Sequence, residues 1–326
     1  MHKGALAHLN TMSKLLLLAV LCMVSTLIFT MISLALGTVI YDVSAGEMMQ
    51  LLSGNIGDNQ MGLLKLVQGF SSIGTFMVPA WLGAYLFSSH PGELMSAERL
   101  PFKLTVVLLL VSLLAISGNV ISDLCYQITQ AFEFPDSWLP FKQSLDESQE
   151  SMNRIYDRFL RMDSFADFLG VFLIMAILPA ICEEILFRGL VQPLLQKSIG
   201  VHSGIILTAF IFALIHQQFY AFLSIFVLGL ILGYVRYWSN SVWVSTWMHL
   251  VNNGAIVIAV YFFGVSYSET NSSEEAMAVW QYAAGSIAFF FLLWFSYVVL
   301  SKNKVPEFIP EEHTGEGDGD VLDGNY

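Results

Sequence analysis

The chain has 326 residues, of which 56% are hydrophobic and only 12% charged, and its mean hydropathy is +0.65. That composition lies outside the range of soluble globular domains and predicts an all-α, polytopic transmembrane helical bundle of about eight spans. The net charge of −12 argues against a nucleic-acid partner; seven of the acidic residues sit in the last twenty-two positions. Cys22, Cys125 and Cys182 are odd in number and widely spaced, so neither a disulfide framework nor a zinc knuckle is expected.

Taken in order, the first span is Leu15 to Val39, preceded by Lys3 and Lys14. The run is too long for a signal-peptide core and suits a retained helix. Tyr41 to Met61 carries Asp42, Glu47 and Asp58 without Lys or Arg. The second span covers Leu63 to Phe87 and contains Pro79; the third runs from Leu104 to about Ile121. Asp123 to Asp167 is the longest polar stretch between spans. Within it, Met152, Ile155, Tyr156, Phe159, Leu160 and Met162 fall largely on one helical face, which predicts an amphipathic helix lying on the bilayer surface.

The fourth span extends from Phe168 past Leu195 toward Lys197 and holds Pro179-Ala-Ile-Cys-Glu-Glu-Ile-Leu-Phe-Arg-Gly189. Charged groups at membrane depth cost about 2.5–3.5 kcal/mol each, so they pair, face water or do chemistry. Glu184 and Arg188 are four residues apart and share a helical face. Glu183 is rotated about 100° away and is the carboxylate left over. Pro179 removes a helical hydrogen bond just before the acidic pair and predicts a kink.

Gly204 to Trp238 is about 52 Å long if fully helical, too short for two complete spans and a turn. One of its helices must therefore be short, which places His216 near a break inside the protein. The seventh span, Val242 to Phe263, contains His249, Asn252 and Asn253, and Ala276 to Leu300 is the eighth. Lys3, Lys14, Arg99, Lys103, Lys197, Arg236, Lys302 and Lys304 fall on one side of this arrangement. The positive-inside rule then puts both termini in the cytoplasm, although Lys65, Lys142, Arg154, Arg158 and Arg161 fall on the other side. The tail from Val305, rich in Glu, Asp and Gly, has the composition of a disordered segment.

Three apolar spans thus carry compact polar groups. A Glu, two His and an Asn converging inside a membrane fit a water-activating site, in which the carboxylate takes a proton and imidazole or amide supports the developing oxyanion. They equally fit a divalent-metal site. Singly, each His is also explained as an interhelical hydrogen-bonding group. Cys182 adjoins Glu183, but an apolar packing role suits it better than a nucleophilic one. No His-Glu-x-x-His helix and no Gly-x-Ser-x-Gly elbow occurs. Gly317-Asp-Gly-Asp320 matches the Gly-x-Gly-Asp of aspartyl intramembrane proteases only by coincidence, in the acidic tail.

Glu183-Glu184-Ile-Leu-Phe-Arg188, Phe212-Ala-Leu-Ile-His216 and His249-Leu-Val-Asn-Asn253, in this order on apolar segments, resemble the CPBP family of intramembrane proteases. That family includes the CAAX prenyl endopeptidases and bacteriocin-processing or self-immunity proteins. The resemblance covers about Ile174 to Ile258. It implies an intramembrane endopeptidase acting on a membrane-associated protein or peptide within the lipid bilayer. Glu183 would be the general base on water with His216 beside it, and His249 and Asn253 would support the tetrahedral intermediate. Alternatively His216 and His249 would hold one divalent ion such as Zn2+. Glu184 and Arg188 would be structural supports.

The resemblance leaves the substrate open, and the compact motif set points to a bacterial inner membrane, where prenylated substrates are not expected. The chain divides into a three-span region with its amphipathic loop (1–166), a peptidase core with the last span (167–300) and an acidic tail (301–326). Two rival functions share the polar spans. An ion-coupled transporter would require inverted repeats, and the two halves show no convincing similarity. A non-catalytic scaffold or immunity-type partner would keep the polar cluster only for packing.

Overall fold

The computed structural model describes residues 2–44, 46, 60–90, 92, 103–267, 277 and 279–301. Glu47, Asp58, Arg99, Lys302, Lys304, most of the Ser266–Glu275 loop and the acidic tail lie outside the described residues. Among the described residues there is no strand. The helices, in chain order, are α1 (Thr11–Tyr41), α2 (Met61–Phe87), α3 (Leu104–Gln130), α4 (Leu139–Phe159), α5 (Phe165–Ile199), α6 (Val201–Ile215), α7 (Phe222–Ser239), α8 (Val242–Phe263) and α9 (Val279–Leu300). All except α4 and α6 are long and apolar enough to cross a membrane. The polytopic helical bundle expected from composition is therefore what the chain forms.

The short helix of the fifth span is α6. Its 15 residues rise about 22 Å, less than the roughly 30 Å of a bilayer core, and His216 at its C-terminal end is partly buried at the break. α3 runs on to Gln130 instead of stopping near Ile121. The polar residues that suggested a loop there are bonded across the bundle. Tyr282 of α9 donates to Asp123 at 2.5 Å, and Ser224 of α7 donates to the Ser122 carbonyl at 2.6 Å.

Three prolines shape α2 and α5 in the same way. Pro79, Pro179 and Pro193 each stand two residues after a π turn, at Ile73–Met77, Leu173–Ile177 and Phe187–Val191. In each case the N–H just after the turn bonds five residues back, Val78 to Ile73, Leu178 to Leu173 and Gln192 to Phe187. A proline lacks an N–H and its ring presses on the carbonyl four residues earlier; a wider turn relieves both effects. The kink expected at Pro179 is thus a widened turn within a continuous 35-residue helix. Both glutamates lie on the α-helical stretch Leu178–Leu186 between two such turns.

α5 is the central helix and packs against α2, α6 and α8. On one side Leu186, Leu190 and Phe212 pack with Leu18 of α1 and Ala80 of α2. A second core joins Val107, Val111 and Leu114 of α3 to Leu232, Met248 and Phe289 of α7, α8 and α9. The turn from α5 into α6 needs Gly200, whose φ of 86° disfavours any side chain. At Gly204, a Cβ would lie 2.6 Å from the Gln196 backbone nitrogen and 2.8 Å from its Cα. Gly204→Ala is expected to push α6 off the end of α5 and lower stability by about 1–3 kcal/mol. A reduced melting temperature in detergent is the check, and an unchanged one would show that the two helices tolerate the shift.

Candidate active site

The polar residues of α5 are buried, as their depth in the sequence implied. Glu184 and Arg188 are fully buried and form an ion pair at 2.9 Å. Arg188 also donates through Nη2 to the Gly229 carbonyl of α7 at 3.1 Å, and its guanidinium lies 4.6 Å from the centre of the Phe212 ring. One turn further along, Gln192 donates to the Gly233 carbonyl at 3.0 Å. Two side chains four residues apart on α5 therefore hold two carbonyls four residues apart on α7. The sequence signal for this clamp is the small-xxx-small spacing of Gly229 and Gly233, which lets helix backbones approach closely.

His249 of α8 stands between the two carboxylates. Its Nδ1 is 3.2 Å from Glu184 Oε1 and its Nε2 is 3.9 Å from Glu183 Oε2. A carboxylate paired with Arg188 can only accept, so Nδ1–H of His249 donates to it. Nε2 then lies on the side of Glu183. Glu183 is 9% exposed, in contrast to the sealed Glu184. The helical arithmetic that separated the two glutamates is realised as two different environments around one imidazole.

His216 caps α6, with its Nδ1–H donating back to the Phe212 carbonyl at 2.6 Å, which likewise leaves Nε2. Phe212 links the two histidines, its ring centre 4.7 Å from that of His216 and 6.0 Å from that of His249. Asn253 lies one turn beyond His249, where its Oδ1 accepts from Asn252 Nδ2 at 3.2 Å. Among the described residues no hydrogen bond joins His216 or Asn253 to either glutamate. Cys182 is fully buried.

A catalytic zinc takes about three protein ligands. Among the described residues no three His, Cys, Asp or Glu side chains are grouped to hold a metal ion. Glu184 is committed to Arg188 and to His249 Nδ1, so among the described residues Glu183 and His249 Nε2, 3.9 Å apart, are two facing candidate ligands, not a set of three.

α4, expected to be amphipathic, is tied to the bundle along its length. Phe159 is buried, with the Lys65 ammonium 5.7 Å above its ring. Tyr156 packs on Tyr267 with ring centres 4.6 Å apart. Ser266 donates to Asp157 at 2.9 Å, and Tyr220 to Asp146 at 2.5 Å. Lys142 and then Tyr220 hold the Asp146 carboxyl below its usual range, so this anchor stays ionised at neutral pH. Apolar periodicity alone could not reveal these protein partners; the polar bonds do.

Residues 165–255 match the family model of the type II CAAX prenyl endopeptidase Rce1-like proteins. Over that segment, less than a third of the chain, the protein is similar to the CAAX protease family. The Rce1-like segment begins at the first residue of α5 and ends within α8, so it contains Glu183, Glu184, Arg188, His216, His249 and Asn253. No curated protein and no solved structure gave a significant match.

Proposed function

We propose that the protein is an intramembrane endopeptidase that hydrolyses a peptide bond in a membrane-associated protein or peptide, with Glu183 as general base. The observation that carries this reading is His249 held between two carboxylates, one sealed by Arg188 and the other free of an ion pair with arginine. A water 2.8 Å from both Glu183 Oε2 and His249 Nε2 would subtend an angle of about 90° at its oxygen, acceptable for its two contacts.

Glu183 takes a proton from that water, and the hydroxide attacks the scissile carbonyl carbon. Asn253 Nδ2–H donates to the resulting oxyanion, joined by His216 Nε2–H when that ring carries both protons. The proton held by Glu183 passes to the leaving amine as the C–N bond breaks. Glu184 and Arg188 hold His249 in its orientation. No step is routed through a metal. We place both termini in the cytoplasm on the distribution of Lys and Arg, and the compact motif set favours a bacterial inner membrane.

The test uses purified protein in proteoliposomes with membrane-anchored peptides, each made with and without a prenylated cysteine. Cleavage that survives exhaustive chelation and falls about 10²-fold or more in His216→Ala and His249→Ala is the expected result. Stoichiometric zinc, lost together with activity in the two histidine variants, would replace Glu183-activated water with a metallopeptidase. Preference between the two peptide forms assigns the substrate class.

A further inference from the structure

Gln218 and Tyr156 connect the α4 strap to the loop that follows His216. His216 ends α6, and the next residue, Gln217, turns the chain in the left-handed conformation at φ 55°. A non-glycine residue enters that region only against the steric clash of its Cβ, so the turn needs support. The following residue, Gln218, donates from Nε2 to the Tyr156 hydroxyl at 3.4 Å. Tyr156 is partly buried and fixed from its other side by Tyr267. The anchors at Asp146 and Asp157 fix the helix on either side of it.

Because Gln218 uses the lone pair of the phenol oxygen, the phenol keeps its own O–H as a donor. We propose that Tyr156 is a further site residue, which holds the His216 loop through Gln218 and presents its O–H to the carbonyl oxygen of the peptide bound at Glu183. This inference rests on the protease reading of the same site. Burial first, and the charge of Glu183 as well, push the phenol above its usual pKa, against the opposing bond from Gln218. The group is thus a neutral donor at working pH, suited to an oxyanion and unable to compete with Glu183 as base. An element outside the matched segment 165–255 would then complete the site.

Tyr156→Phe removes only the oxygen and keeps the ring on Tyr267. The expected result is a fall in kcat of about 10²-fold with KM little changed, the effect of losing one oxyanion donor. Placement is read without any substrate, by fluorine NMR of 3-fluorotyrosine incorporated at position 156. Its resonance is expected to shift when Glu183→Gln is introduced. Full activity of Tyr156→Phe, or no fluorine shift on Glu183→Gln, would overturn the proposal. Absence of Glu183-dependent cleavage by the unsubstituted protein would count against the protease reading itself, and the fluorine shift would still decide where Tyr156 lies.

Discussion

Glu183→Gln is expected to give a folded protein that cleaves at least about 10³-fold more slowly than the unsubstituted chain. The magnitude is that of removing a general base from a site whose other groups remain. The amide keeps the volume of the side chain and its place 3.9 Å from His249 Nε2, but it cannot take a proton from water. Because Glu183 has no part in the Glu184–Arg188 ion pair, the melting temperature should stay close to that of the parent. Initial rates in proteoliposomes and thermal unfolding in detergent, measured on the same preparation, check both halves. A variant that unfolds, with no proteolytic activity in the parent, would favour a scaffold held together by its polar cluster.

Arg188→Leu should behave in the opposite way and remove the fold before the chemistry. It leaves the fully buried Glu184 carboxylate without its cation and strips the Gly229 carbonyl of its second bond. Breaking one side of a buried pair costs about 3–5 kcal/mol, because a charge remains without compensation. Replacing both partners, as Glu184→Leu with Arg188→Leu, should restore part of that stability. Activity should not return, since His249 loses the carboxylate that orients its Nδ1–H. Thermal melts and cleavage rates of the single and double variants separate the two roles. A double variant with parental activity would show that Glu184 serves packing alone.

The fold was legible because its main terms are local. Apolar runs of the right length marked the long helices, and the arithmetic of Gly204 to Trp238 already required a short helix and a break near His216. The end of α3 was missed because Asp123 is satisfied by Tyr282, a partner 159 residues away. α4 was found but its protein contacts were not, since an apolar face looks the same whether it meets lipid or Tyr267. At the site, the four-residue spacing of Glu184 and Arg188 gave their pair, and the rotation of Glu183 gave its separate environment. That one imidazole bridges both glutamates depends on the packing of α8 against α5 and could not be read from spacing within either helix. Gln192 and Tyr156 were passed over for the same reason, as each acquires its role from a residue on another element.

The most direct test of the central claim is cleavage of the membrane-anchored peptides in oxygen-18 water, by the parent and by Glu183→Gln, with product masses read by mass spectrometry. The account predicts an internal peptide bond cut by the parent, one heavy oxygen in the new carboxylate, and no such product from Glu183→Gln. The same labelled product at the parental rate from Glu183→Gln would contradict it.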